Sequence, residues 1–213
     1  MSFCILIPTV NRKDLLMDAM YWYVSNLRDV QMIILDNGKQ GIASSVDNIR
    51  VFESSSNLGV AGSWNWLIRK AIERGHTHFL VLNDDIILKR YSSEIKSIIE
   101  SWDDMTFHRP RPFYNWSAFI LSKTIWDKVG EFDTNFVKCF FEDNDYEYRM
   151  KLAGVTINYE DALNAQVYRN SQTIEKDPLL VYKMELNIIH PIFCFDQIFF
   201  ICTYFMQFNE CLD

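Results

Sequence analysis

Three polar residues directly follow a short apolar run in the first half of the sequence. Asn83, Asp84 and Asp85 come after Phe79–Leu82, a run that is typical of a buried strand. Carboxylate and amide oxygens at a strand end suit Mg²⁺ or Mn²⁺, which keep bound waters and bridge to substrate phosphates. The spacing alone leaves a second interpretation open, in which the two aspartates begin a turn and Asp85 caps the next segment.

A second acidic group lies in the other half of the sequence. Glu142, Asp143 and Asp145 precede Tyr146 and Met150, which are spaced for one face of a helix. A carboxylate at such a position serves as a general base when it faces a ligand. Acidic residues are also favoured in the first turn of any helix by the helix dipole. The pattern alone therefore fits either a catalytic or a structural role.

Composition and missing motifs exclude several classes of function. The sequence has no G-x-G-x-x-G after its first strand, no G-x-x-x-x-G-K-[ST] and no G-x-S-x-G. These absences argue against a nicotinamide dehydrogenase, a P-loop NTPase and a triad hydrolase. The 21 basic and 28 acidic residues give a net charge of −7 at pH 7. That charge argues against nucleic acid or an anionic lipid surface as a partner.

Alternating strand and helix patterns surround the first acidic group. Apolar runs predict strands at Phe3–Ile7, Met32–Leu35, Ile49–Phe52 and Phe79–Leu82. Helical spacing predicts two helices between them, one burying Leu15, Leu16, Ala19, Met20 and Tyr23, the other burying Trp64, Leu67, Ile68, Ala71 and Ile72. This order predicts an α/β fold with a mostly parallel central sheet and helices on both faces.

The residues after each predicted strand are the candidates for ligand binding, because ligands of such sheets bind outside the carboxyl ends of the strands. They are Thr9, Asn11 and Arg12 after the first strand, Asp36 and Asn37 after the second, Asn57 and Gly59 after the third, and Asn83, Asp84 and Asp85 after the fourth. This set is polar, acidic and poor in glycine, so it does not form a phosphate cradle from backbone alone.

The remaining patterns concern the second half of the chain and the cellular location of the protein. An apolar segment at Trp116–Leu121 is followed by a predicted helix at Lys123–Val129. Ile192–Phe208 is apolar but interrupted, too short for a spanning helix, and is predicted to be a buried C-terminal helix. The alternative for that segment is a surface that docks on a membrane, a partner or a further domain. Five scattered cysteines and the absence of a signal-peptide pattern favour a cytoplasmic location.

Six motifs in order resemble one known family. They are Ile7–Arg12, Leu35–Gly38, Asn57–Asn65, Leu82–Asp85, Val129–Asp133 and Phe141–Arg149. Together they resemble the GT-A-fold glycosyltransferases of the family 2 type, especially rhamnosyltransferase-like members and those that glycosylate viral capsid proteins. The resemblance implies a single GT-A domain over residues 1–213. Residues 1–105 would form the nucleotide-binding half, residues 106–190 the acceptor-binding and catalytic half, and residues 191–213 a C-terminal helix.

The resemblance also implies a role for each matching residue. Pro8, Thr9, Asn11, Arg12 and Asp36 would hold the nucleotide, with the Asp36 carboxylate accepting from the uracil N3–H. Asn57, Gly59 and Asn65 would form the wall beside the ribose and the diphosphate. Asn83, Asp84 and Asp85 would be the DXD-type motif, with Asp85 as the metal ligand for Mn²⁺ or Mg²⁺. Asp143, in the pair Glu142–Asp143, would deprotonate the acceptor hydroxyl.

Three positions depart from the family pattern. Asn83 replaces the first aspartate of the DXD-type motif, and Trp64 stands where many relatives carry a basic residue. Arg169 occupies a position where relatives often place a metal-binding histidine. An arginine does not ligate a cation, but it pairs well with a diphosphate.

The resemblance implies transfer of a sugar from a UDP-sugar donor to a hydroxyl of a glycan acceptor. We expect no transmembrane segment, and further domains are allowed C-terminal to the chain.

Two other hypotheses stay open at this point: a sugar-phosphate nucleotidyltransferase and a non-catalytic carbohydrate-binding domain. A nucleotidyltransferase usually carries a loop rich in glycine and arginine after the first strand. The sequence Pro8–Arg12 lacks that loop.

Overall fold

A computed structural model describes residues 2–27, 29–87, 95–110, 116–136 and 141–163. All of them belong to one compact unit, Met1–Gln172. Arg169, the predicted C-terminal helix at 191–213 and every cysteine except Cys4 lie outside the described residues. No helix within the described ranges is long and apolar enough to cross a membrane.

The described part of this unit contains seven strands and five helices. The strands are β1 (Phe3–Thr9), β2 (Gln31–Asp36), β3 (Ile49–Glu53), β4 (His78–Leu82), β5 (Thr106–Arg109), β6 (Ala118–Ser122) and β7 (Thr156–Tyr159). The helices are α1 (Lys13–Asn26), α2 (Gly59–Glu73), α3 (Lys96–Glu100), α4 (Lys123–Val129) and α5 (Glu142–Leu152), and a 3₁₀ turn follows at Asp161–Leu163.

The seven strands form one sheet in the order β3-β2-β1-β4-β6-β5-β7. β1 to β4 are parallel, β6 is antiparallel to both of its neighbours, and β7 pairs in parallel with β5. The predicted parallel sheet is therefore confirmed for its first four strands. The reversal of β6 brings the amino end of this strand to the same edge as the carboxyl end of β4, because Leu82 pairs with Ala118.

Both faces of the sheet are covered, so alternate residues of one strand enter different cores. Ile5 and Ile7 of β1 pack in the core that contains Tyr23 of α1. Cys4 and Leu6 pack in the opposite core with α2, α4 and α5. This two-sided burial explains why the central strands read as continuous apolar runs without polar alternation.

The register places the polar strand ends side by side. Thr9 at the end of β1 pairs with Asp36 at the end of β2, and Asp36 pairs with Glu53 at the end of β3. Asn83, just after β4, donates its backbone N–H to the carbonyl of Ser117, which precedes β6. One edge of the sheet thus collects the candidate residues from four strands, as the sequence predicts.

Candidate active site

The first acidic group lies beside the end of β1. Thr9 donates its hydroxyl to Asp84 Oδ2 at 2.7 Å, a contact that joins the ends of β1 and β4. Asp84 and Asp85 are only 7% and 6% exposed. Burial raises the pKa of Asp84 to about 7; the Thr9 hydrogen bond opposes that rise and the charge of Asp85 adds to it. Two carboxylates are therefore held close together at a point of low solvent access.

Arg12 supplies positive charge close to this pair. Its guanidinium is buried and donates through Nε and Nη2 to Asp14, at 3.1 and 3.2 Å. The hydrogen bond to Asp14 raises the pKa of Arg12, and the charges of Asp84 and Asp85 raise it further. A buried cation thus compensates part of the charge of the acidic pair. Trp64 lies in the core and contributes no charge at this edge.

The donor set at this edge fits a divalent cation that is shared with a substrate. The described residues contain no group of three or more His, Cys, Asp or Glu side chains arranged for a metal. Mg²⁺ and Mn²⁺ in phosphate-transferring sites commonly use one or two carboxylates, and waters and phosphate oxygens complete the coordination. Asp84 and Asp85 meet this requirement. Asn83, which is half-buried next to them, adds an amide oxygen.

Asp36 organises the loop that follows β2. Its carboxylate accepts hydrogen bonds from the backbone N–H of Gly38, Gln40 and Ile42, at 3.2, 2.7 and 3.4 Å. It also accepts from the side-chain Nε2 of Gln40 at 3.3 Å. A carboxylate has about four acceptor positions, so the loop itself occupies Asp36. Among the described residues this carboxylate holds the loop; a hydrogen bond from uracil to Asp36 stays a prediction.

A pair of asparagines connects three strand ends. Asn37 donates its backbone N–H to Thr9 and its side-chain Nδ2 to Asn57 Oδ1, and its own Oδ1 accepts from the backbone of Leu58. Asn57 Oδ1 also accepts from the N–H of Gly59, the first residue of α2. Gly59 has φ +70°, a conformation that favours glycine. Asn57 and Gly59 thus shape the edge together with Asn37, another of the candidates that follow the predicted strands.

The loop after β1 packs closely on the loop after β2. Asn11 has a positive φ of 56°. A Cβ atom added to Gly38 would lie 3.0 Å from the backbone nitrogen of Asn11, so any other residue there would push the two loops apart by a few tenths of an ångström. Pro8 is half-buried and belongs to β1 itself. Of the predicted nucleotide contacts, Thr9, Asn11, Arg12 and Asp36 are therefore brought together at one edge.

Asn65 in α2 bonds to the backbone of the segment before α5. Its Nδ2 donates to the carbonyl of Phe132 at 2.8 Å, and its Oδ1 accepts from the Phe132 N–H at 2.9 Å. The residue is 1% exposed. The amide therefore pairs with backbone inside the protein, and we assign Asn65 to fixing the segment before α5; its place in the wall beside the ribose and the diphosphate stays a prediction.

We expect Asn65→Ala to lower the free energy of unfolding by about 2–4 kcal/mol, because it leaves a buried N–H and a buried C=O of Phe132 without partners. Chemical denaturation monitored by circular dichroism measures this loss. Asn135→Ala is the matched control, because Asn135 is exposed and, within the part of the chain that the structure describes, its side chain bonds to nearby Asp133. An equal effect of the two substitutions would contradict the assignment.

The second acidic group begins α5, as predicted. Glu142 is buried, and its Oε2 has no hydrogen-bond partner among the described residues. Asp143 is half-buried and accepts from the N–H of Asn144 at 2.9 Å. Burial raises the pKa of Glu142 to about 8, with a contribution from the charge of Asp143, and burial also raises the pKa of Asp143. Raised pKa values suit groups that take up or share a proton near neutral pH.

Trp116 links α5 to the edge that carries the first acidic group. Its ring lies edge-on to that of Tyr146 in α5, with the centroids 6.1 Å apart, and Tyr146 stacks on Phe132 at 3.9 Å. The next residue, Ser117, accepts from the Asn83 backbone. The two acidic groups, almost sixty residues apart in the sequence, therefore lie on elements that meet at the same end of β6.

We expect Glu142→Gln to change how stability depends on pH. The folded chain keeps a proton on Glu142 up to pH about 8, whereas the unfolded chain releases it near the ordinary value of 4.5. The free energy of unfolding therefore falls between these values as pH rises, by up to about 1.4 kcal/mol per pH unit. Glu142→Gln removes this slope, so the variant gains stability over the wild type from pH 5 to pH 8. Chemical denaturation at a series of pH values measures this. A constant difference in the free energy of unfolding between variant and wild type from pH 5 to pH 8 would contradict the raised pKa of Glu142.

Comparisons with known proteins show the fold of this chain. No family model and no curated protein matches the sequence. A mannosyltransferase from Pyrobaculum calidifontis, solved with GDP-Man and Mn²⁺, is 13% identical with a TM-score of 0.58 over 79% of this chain and 58% of its own. S. aureus TarS 1–349 is 14% identical with a TM-score of 0.60 over 75% of this chain and 58% of its own.

A third neighbour matches over its full length. A glycosyltransferase involved in the glycosylation of the major capsid of PBCV-1 is 12% identical with a TM-score of 0.52, over 85% of this chain and 100% of its own. The chain spans just over half of the first two neighbours. These likenesses show that the chain has the GT-A fold, which confirms the fold predicted from the six motifs.

Proposed function

We propose that this chain is a metal-dependent glycosyltransferase that moves a sugar from a UDP-sugar to a hydroxyl group of a glycan acceptor. The observation that carries the proposal is the buried pair Asp84–Asp85, held by Thr9 and flanked by Arg12 at the ligand-binding edge of a GT-A sheet. Burying two carboxylates and a guanidinium is unfavourable, and a structural turn does not require it. Binding a divalent cation together with a nucleoside diphosphate would use these charges.

The donor nucleotide would lie across the ends of β1, β2 and β3. The loops that carry Asn11, Asp36 and Asn57 form this part of the edge, and their mutual hydrogen bonds fix it before a ligand arrives. A preformed site lowers the ordering cost of binding. Arg169, outside the described residues, remains a proposed partner of the diphosphate.

Asp85 is the proposed direct ligand of Mn²⁺ or Mg²⁺. Asp84 would support it, since the Thr9 hydroxyl already fixes one of its oxygens. When bound, the cation supplies Lewis-acid stabilisation for the charge that develops on the leaving diphosphate. The protein carries a net charge of −7, so a cation also offsets its repulsion of the anionic donor.

Asp143 is the proposed base that takes the proton from the acceptor hydroxyl. It is the second residue of α5 and half-buried, while its neighbour Glu142 is buried and holds a proton at neutral pH. A protonated Glu142 would leave Asp143 as the ionised member of the pair. The sugar would pass through an oxocarbenium-like transition state, as in glycoside hydrolysis, with the base and the leaving group on opposite faces. This arrangement favours inversion at the anomeric carbon.

The sugar nucleotides bound in the structural neighbours support this class of reaction. The Pyrobaculum enzyme was solved with a sugar nucleotide and Mn²⁺, TarS with UDP-GlcNAc, and GalNAc-T7 with UDP, GalNAc and Mn²⁺. The likeness to the PBCV-1 enzyme supports a role in glycan synthesis on a viral capsid glycoprotein. Such synthesis would take place in the cytoplasm of the host.

Release of UDP from a panel of UDP-sugars tests the proposal. We expect slow release with at least one donor in the presence of Mn²⁺, acceleration by a matching sugar acceptor, and loss of the activity in EDTA. GDP-mannose serves as the comparison donor. Absence of release from every UDP-sugar, with and without simple sugar acceptors, would contradict an enzymatic role.

A further inference from the structure

The side-chain amide of Gln40 lies between two parts of the proposed donor site. Its Nε2 is 3.3 Å from Asp36 Oδ1, in the loop after β2, and 3.3 Å from Thr9 Oγ1, at the end of β1. Thr9 in turn donates to Asp84. Gln40 thus connects the loop after β2 with the acidic pair Asp84–Asp85 through Thr9. None of the sequence motifs assigns Gln40 a role.

Asp36 fixes the orientation of this amide. An ionised carboxylate only accepts hydrogen bonds, so the amide must turn its NH₂ group toward Asp36. The amide oxygen, Oε1, therefore points away from Asp36. This Oε1 is buried and has no hydrogen-bond donor among the described residues. A buried acceptor without a donor is unfavourable, and it is satisfied when a ligand brings an N–H group.

We propose that Gln40 Oε1 accepts the N3–H of a uracil base and makes the site selective for uridine nucleotides. The inference rests on the proposed function, since it concerns the base of the same donor. Asp36 is the alternative acceptor, but four donors from its own loop already occupy its oxygens. Gln40 Oε1 is the acceptor of this loop that still needs a partner.

The chemistry of the two pyrimidines explains the selectivity. Uracil has a hydrogen on N3, whereas cytosine has a lone pair there and would face Gln40 Oε1 with a second acceptor. A site built around one hydrogen bond rejects the analogue that leaves its polar group unpaired. Gln40 would therefore contribute to binding UDP and contribute nothing to binding CDP.

Calorimetric titration of UDP and CDP in the presence of Mn²⁺ tests this inference with Gln40→Met, which keeps the length of the side chain and removes the amide. We expect UDP to bind about tenfold more weakly, CDP to be nearly unchanged, and the UDP preference to be largely lost. Lys39→Met, a neighbouring substitution at an exposed position, is the matched control. The control is expected to keep the wild-type ratio of UDP to CDP affinity.

N3-methyl-UDP identifies the partner of the N3–H directly. In the wild type, methylation is expected to weaken binding. In Gln40→Met the same methylation should cause little further loss, because the acceptor is already gone. An undiminished penalty in the variant, or an unchanged UDP preference, would overturn the assignment to Gln40. Should Gln40→Met lower the melting temperature, Gln40→Asn, which withdraws the amide by one methylene, repeats the comparison. Failure of the wild type to bind UDP at all would instead overturn the proposed function.

Discussion

Asp143→Asn is expected to reduce sugar transfer to an acceptor by a factor of about 10²–10⁴, the usual contribution of a general base. Asparagine has nearly the same size and still accepts the hydrogen bond from Asn144, but it does not take up a proton. Binding of UDP with Mn²⁺ should stay within about twofold of the wild type, since Asp143 is not a proposed donor contact. Initial transfer rates at saturating donor, together with calorimetry, measure both effects.

Asp145→Asn is the matched control for this prediction. Asp145 lies in the same first turn of α5, but its carboxylate pairs with Arg149 at 2.7 Å. A partly exposed pair of this kind contributes little to stability, so transfer by the control should stay close to the wild-type rate. An Asp143→Asn variant that keeps more than a tenth of the wild-type rate would contradict the assignment of the base.

Asp85→Asn is expected to remove the effect of the cation. The substitution keeps the shape of the side chain but replaces a charged ligand with a weak neutral one. We expect the affinity for UDP to become the same with and without Mn²⁺, and transfer to fall about 100-fold or more. Electron paramagnetic resonance of free Mn²⁺ gives an independent measure of metal binding in the presence of UDP.

Asp127→Asn serves as the control for Asp85→Asn, because it removes one negative charge from an exposed position on α4. It should leave the response to Mn²⁺ unchanged. A variant at Asp85 that still binds UDP more tightly with Mn²⁺ than without it would show that another residue holds the metal.

The central elements follow from local patterns in the sequence. The five residues predicted to be the buried face of the first helix, Leu15, Leu16, Ala19, Met20 and Tyr23, are the buried residues of α1. The four apolar runs are β1 to β4. By contrast, β5 and β7 have four residues each, and β7 is mostly exposed. Neither is long enough to show a recognisable alternation of apolar and polar residues. Their pairing depends on the rest of the sheet and not on their own sequence.

The edge that carries the site also follows from the sequence, because polar residues at the ends of parallel strands must meet. The hydrogen-bond partners of individual side chains, however, cannot be predicted from the sequence. Asn65 bonds to a segment 67 residues away, and Gln40 bonds to Thr9 across 31 residues. Such contacts depend on how loops fold back onto the sheet. The motifs therefore predict the edge at which we propose the nucleotide site, whereas the structure is needed to show which of the predicted residues hold the loops.

Calorimetric titration of UDP, GDP and CMP into the wild-type chain, each with and without Mn²⁺, shows whether the proposed donor site exists. We expect micromolar binding of UDP that Mn²⁺ strengthens, with weaker binding of the other two nucleotides. No binding of any nucleotide under either condition would contradict it. The chain would then have the GT-A fold without the donor site that we propose for it.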